Sequence, residues 1–186
     1  MMNPQVAEAA KLDFELLGQL ETCYKDTKFF AKMFFPEIFN APFSILHDQI
    51  FDLIDSPKQR VAIAAPRGIG KTSIARLIAT KGIMFRDVNF IVYLQNSATL
   101  AEMQTENIKR EILYNKPLKQ LFGDIRINQT DVGYDETFSK LAWVAYGTSL
   151  VLPRGSGQQI RGLNWSSYRP QLIIIDDLED SEEVLN

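Results

Sequence analysis

Apolar positions change their spacing part-way along the chain. From about Ala7 to Met33, Leu12, Leu16, Leu17 and Leu20 recur at the three- and four-residue intervals of one helical face. Phe29, Phe30, Phe34, Phe35 and Phe39 cluster next, and Pro36 and Pro42 break the chain near them. Ser44 is suited to cap a second helix that runs to Ile54, with Ile50, Leu53 and Ile54 on its apolar face. The stretch up to Pro57 therefore reads as a helical segment (1–57) ahead of a core (58–186).

In the core, short continuous apolar runs alternate with helical patterns. Val61 to Ala65 predicts a strand, and Lys71 to about Phe85 a helix. Phe90 to Leu94 (FIVYL) predicts a second strand, rich in aromatic and β-branched residues. Ala98 to Tyr114 predicts a long helix, capped by Ser97 or Thr99 and ended by Asn115 to Pro117. Leu141 to Tyr146 and Ser149 to Leu152 predict two strands with a turn at Gly147, and Leu172 to Ile175 a last strand. This alternation predicts an α/β fold, with a mainly parallel central sheet and helices on both faces. No internal repeat or low-complexity tract interrupts it.

Composition narrows the classes. The 186 residues fit one domain with room for a central sheet. A net charge of −3 excludes a wholly basic nucleic-acid-coating protein, though not contact with DNA through a local patch. Lys109, Arg110, Lys116 and Lys119, around the end of the long helix, are expected to be a solvated face, with a basic patch as the alternative. The single cysteine, Cys23, excludes an intramolecular disulfide and suits a packing role. No apolar run approaches the roughly 20 residues of a membrane span, and the N-terminus lacks a secretory signal pattern. A cytosolic setting with no membrane partner is expected. No cysteine or histidine spacing points to structural zinc.

The strongest chemical signal is APRGIGKT: Ala65, Pro66, Arg67, Gly68, Ile69, Gly70, Lys71 and Thr72, followed by Ser73. A loop ending Gly-Lys-Thr between strand and helix is the phosphate-binding pattern of ATP-binding proteins. Its backbone N–H groups curl around phosphate oxygens, its lysine reaches the β- and γ-phosphates, and its hydroxyl holds Mg²⁺. Ala65 departs from the usual first glycine; an alanine at a strand's end keeps ordinary strand angles. Leu172 to Asp177 (LIIIDD) is the expected second half, an apolar strand delivering Asp176 to Mg²⁺ beside Thr72. Hydrolysis needs a group that orients or deprotonates water, for which Glu179 or Asp177 is placed. Arg67, within the loop, is the better-placed arginine to neutralise charge on the γ-phosphate, and Arg161 is the second. Gly155 to Gly162, with Gln158 and Gln159, is either a loop near substrate or a plain connection. Phe43, His47 and Gln49 lie where adenine recognition is expected, about twenty residues upstream of the phosphate loop.

Four stretches together resemble the ATPase domain of the large terminase subunit, the DNA-packaging motor of tailed phages. They are PFSILHDQIFDLI (Pro42 to Ile54), the altered loop APRGIGKT, the strand Phe90 to Leu94, and GSGQQIRGLNWSSYRPQLIIIDDLED (Gly155 to Asp180). The resemblance implies ATP hydrolysis with Mg²⁺, driving double-stranded DNA into a procapsid. It also implies a portal protein and a small terminase subunit as partners, a homo-oligomeric ring, and work in the host cytoplasm at the portal. A coupling motif and a nuclease domain, both implied, are not found before Asn186, so a fragment of a longer motor is expected, with a naturally shortened relative as the alternative. Two other readings differ in class: a non-catalytic adaptor or inhibitor that keeps the half-fold, and another nucleic-acid motor such as a helicase.

Overall fold

The computed structural model describes residues 4–126 and 138–178, with side chains from Glu15 onward. The chain divides into two compact units, one reaching to Ile69 and the other beginning at Gly70.

The first unit is helical: α1 (Pro4–Lys25), α2 (Thr27–Phe34) and α3 (Ile45–Ile54). The single helix expected over 7–33 is two, because Asp26 adopts an extended backbone and caps α2, accepting the Phe29 N–H at 2.8 Å. Phe30, Phe34, Phe35, Ile50 and Phe51 form the buried interior. The Phe30 ring lies 5.0 Å from Phe34 and 6.1 Å from Phe35, both tilted, as aromatic quadrupoles prefer. Asp55, just past α3, accepts the Thr27 N–H at 2.8 Å and the Thr27 hydroxyl, so one carboxylate ties the start of α2 to the end of α3. Cys23 is fully buried, as a packing residue should be. Val61 to Ala65 does not form the expected strand. Only Ile63 and Ala65 there are even partly buried, so the segment has little apolar area with which to stabilise a pairing.

The second unit is α/β. It contains α4 (Lys71–Met84), β1 (Phe90–Gln95), α5 (Ala98–Tyr114), α6 (Lys116–Phe122), β2 (Trp143–Ala145), β3 (Ser149–Gly155) and β4 (Leu172–Ile175). The four strands form a mixed sheet in the order β2-β3-β1-β4. β1 runs parallel to both β3 and β4, and β2 pairs antiparallel with β3 through the turn at Gly147. The expected break at Asn115 to Pro117 is a restart. Asn115 ends α5 and caps α6, accepting the Leu118 N–H at 3.0 Å, and Pro117 occupies the first turn, where its missing N–H costs nothing.

Strand alternation assigns the two faces. One carries Phe90, Val92, Leu94, Val144 and Leu150, covered by Ile160, Leu163, Trp165 and Leu178. Three of these covering residues come from the chain between β3 and β4 and Leu178 from just past β4; among the described residues packed on this face none belongs to a helix. The other carries Ile91, Tyr93, Gln95, Val151, Gly155 and Asp176. Thr72 at the start of α4 meets Asp176, and Ala98 at the start of α5 abuts Gly155, so both helices lie on this face. Arg76 of α4 and Glu111 of α5 join them at 3.3 Å, with both side chains largely buried. Burial pushes the Glu111 carboxyl above its ordinary range, against the pull of Arg76.

Tyr146 sits at the β2–β3 turn with a left-handed backbone, φ 55°. The Arg86 guanidinium stacks 4.7 Å above its ring. Burial pushes the phenol up to about 12. A raised folded-state value contributes stability in full below the unfolded tyrosine value of about 10, and that stability is lost as pH climbs from there towards 12. Alkaline unfolding followed by circular dichroism should therefore begin near pH 10 and be shallower in Tyr146→Phe. Identical alkaline profiles for the two proteins would contradict the assignment.

Candidate functional site

Strand register builds the site. In the parallel β1–β4 pair, Tyr93 lies opposite Ile174 and Leu94 opposite Ile175. Side chains alternate along a strand, so Tyr93 and Gln95 share a face with Ile174 and Asp176. Asp176 follows the last residue of β4, and its N–H still bonds to the Leu94 carbonyl at 3.0 Å, which holds the residue in line with the strand. Its carboxylate is buried. Tyr93 Oη donates to Asp176 Oδ2 at 3.1 Å and Gln95 Nε2 donates to the same oxygen at 2.9 Å. The other oxygen, Oδ1, faces Thr72 Oγ1 at 3.3 Å. Burial, then the charge and hydrogen bond of Asp176, push the Tyr93 phenol far above its ordinary range, so it stays a neutral donor.

The loop supplies the other half. Gly68 and Gly70 have φ of 85° and 78°, angles that a side chain would strain, and no atom lies within 4 Å of where either Cβ would stand. Gly70 precedes α4 without a side-chain cap, and the helix begins at Lys71. Lys71, Thr72 and Ser73 thus form its first turn, where backbone N–H groups lack intrahelical acceptors and an anion is favoured. All three are partly buried. Thr72 and Asp176, 104 residues apart, are brought together.

The remaining expected residues divide. Ala65 and Ile69 are partly buried, whereas Pro66, Arg67 and Gly68 are exposed. Asp177 is exposed with a left-handed backbone, φ 54°, a strained conformation of the kind that gathers at working sites. Glu179 lies outside the described residues. His47 uses both ring nitrogens within the protein. Nδ1 accepts the Ser44 N–H at 3.1 Å, which leaves the proton on Nε2 to donate to the Ile69 carbonyl at 3.1 Å. It thereby ties α3 to the backbone at Ile69. Gln49 is exposed. Phe43 packs on Phe51 and His47, and Lys32 Nζ stands 4.5 Å from its ring centre.

The Gly155 to Gly162 stretch is anchored: Gln158 Oε1 accepts the Gly155 N–H at 2.8 Å, and Ile160 packs on the sheet. Arg161 is exposed. The proposed basic patch loses half its members. Lys109 is buried, pairing with Glu106 at 2.6 Å and donating to the Ser139 carbonyl at 3.2 Å, and Lys119 pairs with Asp124 at 2.9 Å. Sequence reading missed Tyr93 and Gln95; the signal was two polar-tipped residues at alternate positions closing an otherwise apolar strand.

The oxygen set suits Mg²⁺. One carboxylate and one hydroxyl are hard donors, and Mg²⁺ ordinarily takes one or two carboxylates and completes its shell with phosphate and water. Among the described residues no group of three or more His, Cys, Asp or Glu gathers for a metal. Comparison with protein-family models, curated proteins and solved structures finds no match to this chain. Among the described residues no helix is long and apolar enough to cross a membrane.

Proposed function

We propose that this chain is a P-loop NTPase that binds Mg²⁺–ATP and hydrolyses it. The observation that carries the reading is the approach of Thr72 Oγ1 to Asp176 Oδ1 at 3.3 Å, at the start of a helix that follows a glycine loop. Two oxygen donors converge where the α4 N-terminus favours phosphate. When bound, the ion would neutralise charge on the β- and γ-phosphates. Thr72 and Asp176 would hold it. Lys71 and the loop backbone, Ala65 to Ser73, would bind the phosphates, with Arg67 against the γ-phosphate. Glu179 or Asp177 would orient the attacking water, and His47 and Gln49 of α3 would serve adenine recognition. The resemblance of Gly155 to Asp180 to large terminases supports a finer reading: a motor that packages double-stranded DNA, with portal and small-terminase partners.

The test is binding, then turnover. Nucleotide at about a hundred times its dissociation constant stabilises the folded state by about 2.7 kcal/mol. For a chain of this length that is a rise in melting temperature of about 5–10 °C. The rise should be largest with ATP and Mg²⁺ together, smaller with ATP in EDTA, and disappear in Lys71→Ala. No rise with Mg²⁺–ATP, or an equal rise in Lys71→Ala, would sink the reading; phosphate release then separates an enzyme from a binding module.

A further inference from the structure

We propose that Tyr93 and Gln95 are positioning residues that orient the Asp176 carboxylate for a divalent cation, an inference that rests on the Mg²⁺–ATP reading above. A carboxylate offers two oxygens and rotates about its Cβ–Cγ bond. Here the two oxygens have unlike surroundings. Oδ2 takes both buried donors, the Tyr93 hydroxyl at 3.1 Å and the Gln95 amide at 2.9 Å. Oδ1 faces Thr72 Oγ1. Neither Tyr93 nor Gln95 carries a charge that would compete with a cation. Together they fix the rotation of the carboxylate and leave one oxygen directed at the hydroxyl with which it would share the ion. Tyr93 is fully buried and Gln95 nearly so, which locks both donors in place. Groups that orient a metal's ligands without touching the metal change its affinity by ten- to a hundredfold.

The prediction is specific to the ion. Gln95→Leu removes one donor at similar volume, and Tyr93→Phe removes the other while keeping the ring. Each should raise the Mg²⁺ concentration that half-saturates binding of a fluorescent ATP analogue by about tenfold. Binding of the same analogue in EDTA should stay at the wild-type level, and circular dichroism should report a folded chain. A purely structural role would weaken both bindings alike. Because the effect passes through Asp176, adding Gln95→Leu to Asp176→Asn should change the Mg²⁺ dependence no further. Wild-type Mg²⁺ dependence in both folded single variants, or a full additional loss in the double variant, overturns the positioning role. Absence of any Mg²⁺-dependent binding in the wild-type chain overturns the nucleotide reading itself, so the two failures are told apart.

Discussion

On the Mg²⁺–ATP reading, Asp176→Ala is expected to lower ATP turnover by at least about a hundredfold, because it removes a ligand of the ion that offsets developing charge. The same change should destabilise the fold. The carboxylate accepts from Tyr93, Gln95 and Thr72, and the first two are buried. Taking the acceptor away strands two donors out of reach of water, at about 1–3 kcal/mol each. A total of about 2–6 kcal/mol follows, a large share of the stability of a domain this size. Asp176→Asn separates the two effects. Its amide oxygen still accepts from Tyr93 and Gln95, so stability falls by about 1 kcal/mol, yet the neutral group cannot serve a cation. Phosphate release and thermal unfolding on both variants decide the matter. An Asp176→Asn protein that hydrolyses ATP at the wild-type rate removes Asp176 from the site.

Gly155→Val is expected to cost about 3 kcal/mol or to leave the second unit unfolded. A Cβ at Gly155 would stand 2.4 Å from the Ala98 nitrogen and 2.9 Å from the Ser97 carbonyl carbon. These are backbone atoms at the start of α5, which cannot turn aside as a side-chain tip can. Gly155 is the β3 partner of Gln95 in the sheet register. Displacement of α5 would therefore disturb the strand end that holds Gln95. Gly155→Ala should show the same direction with a smaller loss, because its one methyl already meets the 2.4 Å contact. Chemical denaturation of the two variants measures the series. A Gly155→Val protein as stable as the wild type would mean that α5 does not start against β3.

Much of this molecule was legible in the chain. The helix expected from Lys71 to about Phe85, the strand Phe90 to Leu94 and the helix Ala98 to Tyr114 are found to within a residue at their ends, and Ser97 marks the last one's start by accepting the Leu100 N–H at 3.3 Å. The β2–β3 hairpin follows from two apolar runs around Gly147. Other features depended on which partner a segment finds. VAIAA at Val61 to Ala65 has a strand's composition, but pairing is decided by a neighbour and by buried area, neither of which a five-residue pattern contains. The helix expected over 7–33 splits because Asp26 can cap locally, and a propensity sum does not weigh a cap against continuation. The pairs Lys109–Glu106 and Lys119–Asp124 show the same limit for charge: counting lysines along a helix does not say which are already neutralised.

By itself the sequence determined the local chemistry: a glycine loop ending in Lys71 and Thr72, and an apolar strand ending in Asp176. Those depend on residue type and near neighbours. Only the tertiary structure decided that Thr72 and Asp176 meet, that Tyr93 and Gln95 hold the far oxygen, and that His47 spends both ring nitrogens on Ser44 and Ile69. The reason is strand register. A parallel pairing sets residues from distant parts of the chain side by side, and a slip of one position would turn Gln95 and Asp176 to opposite faces.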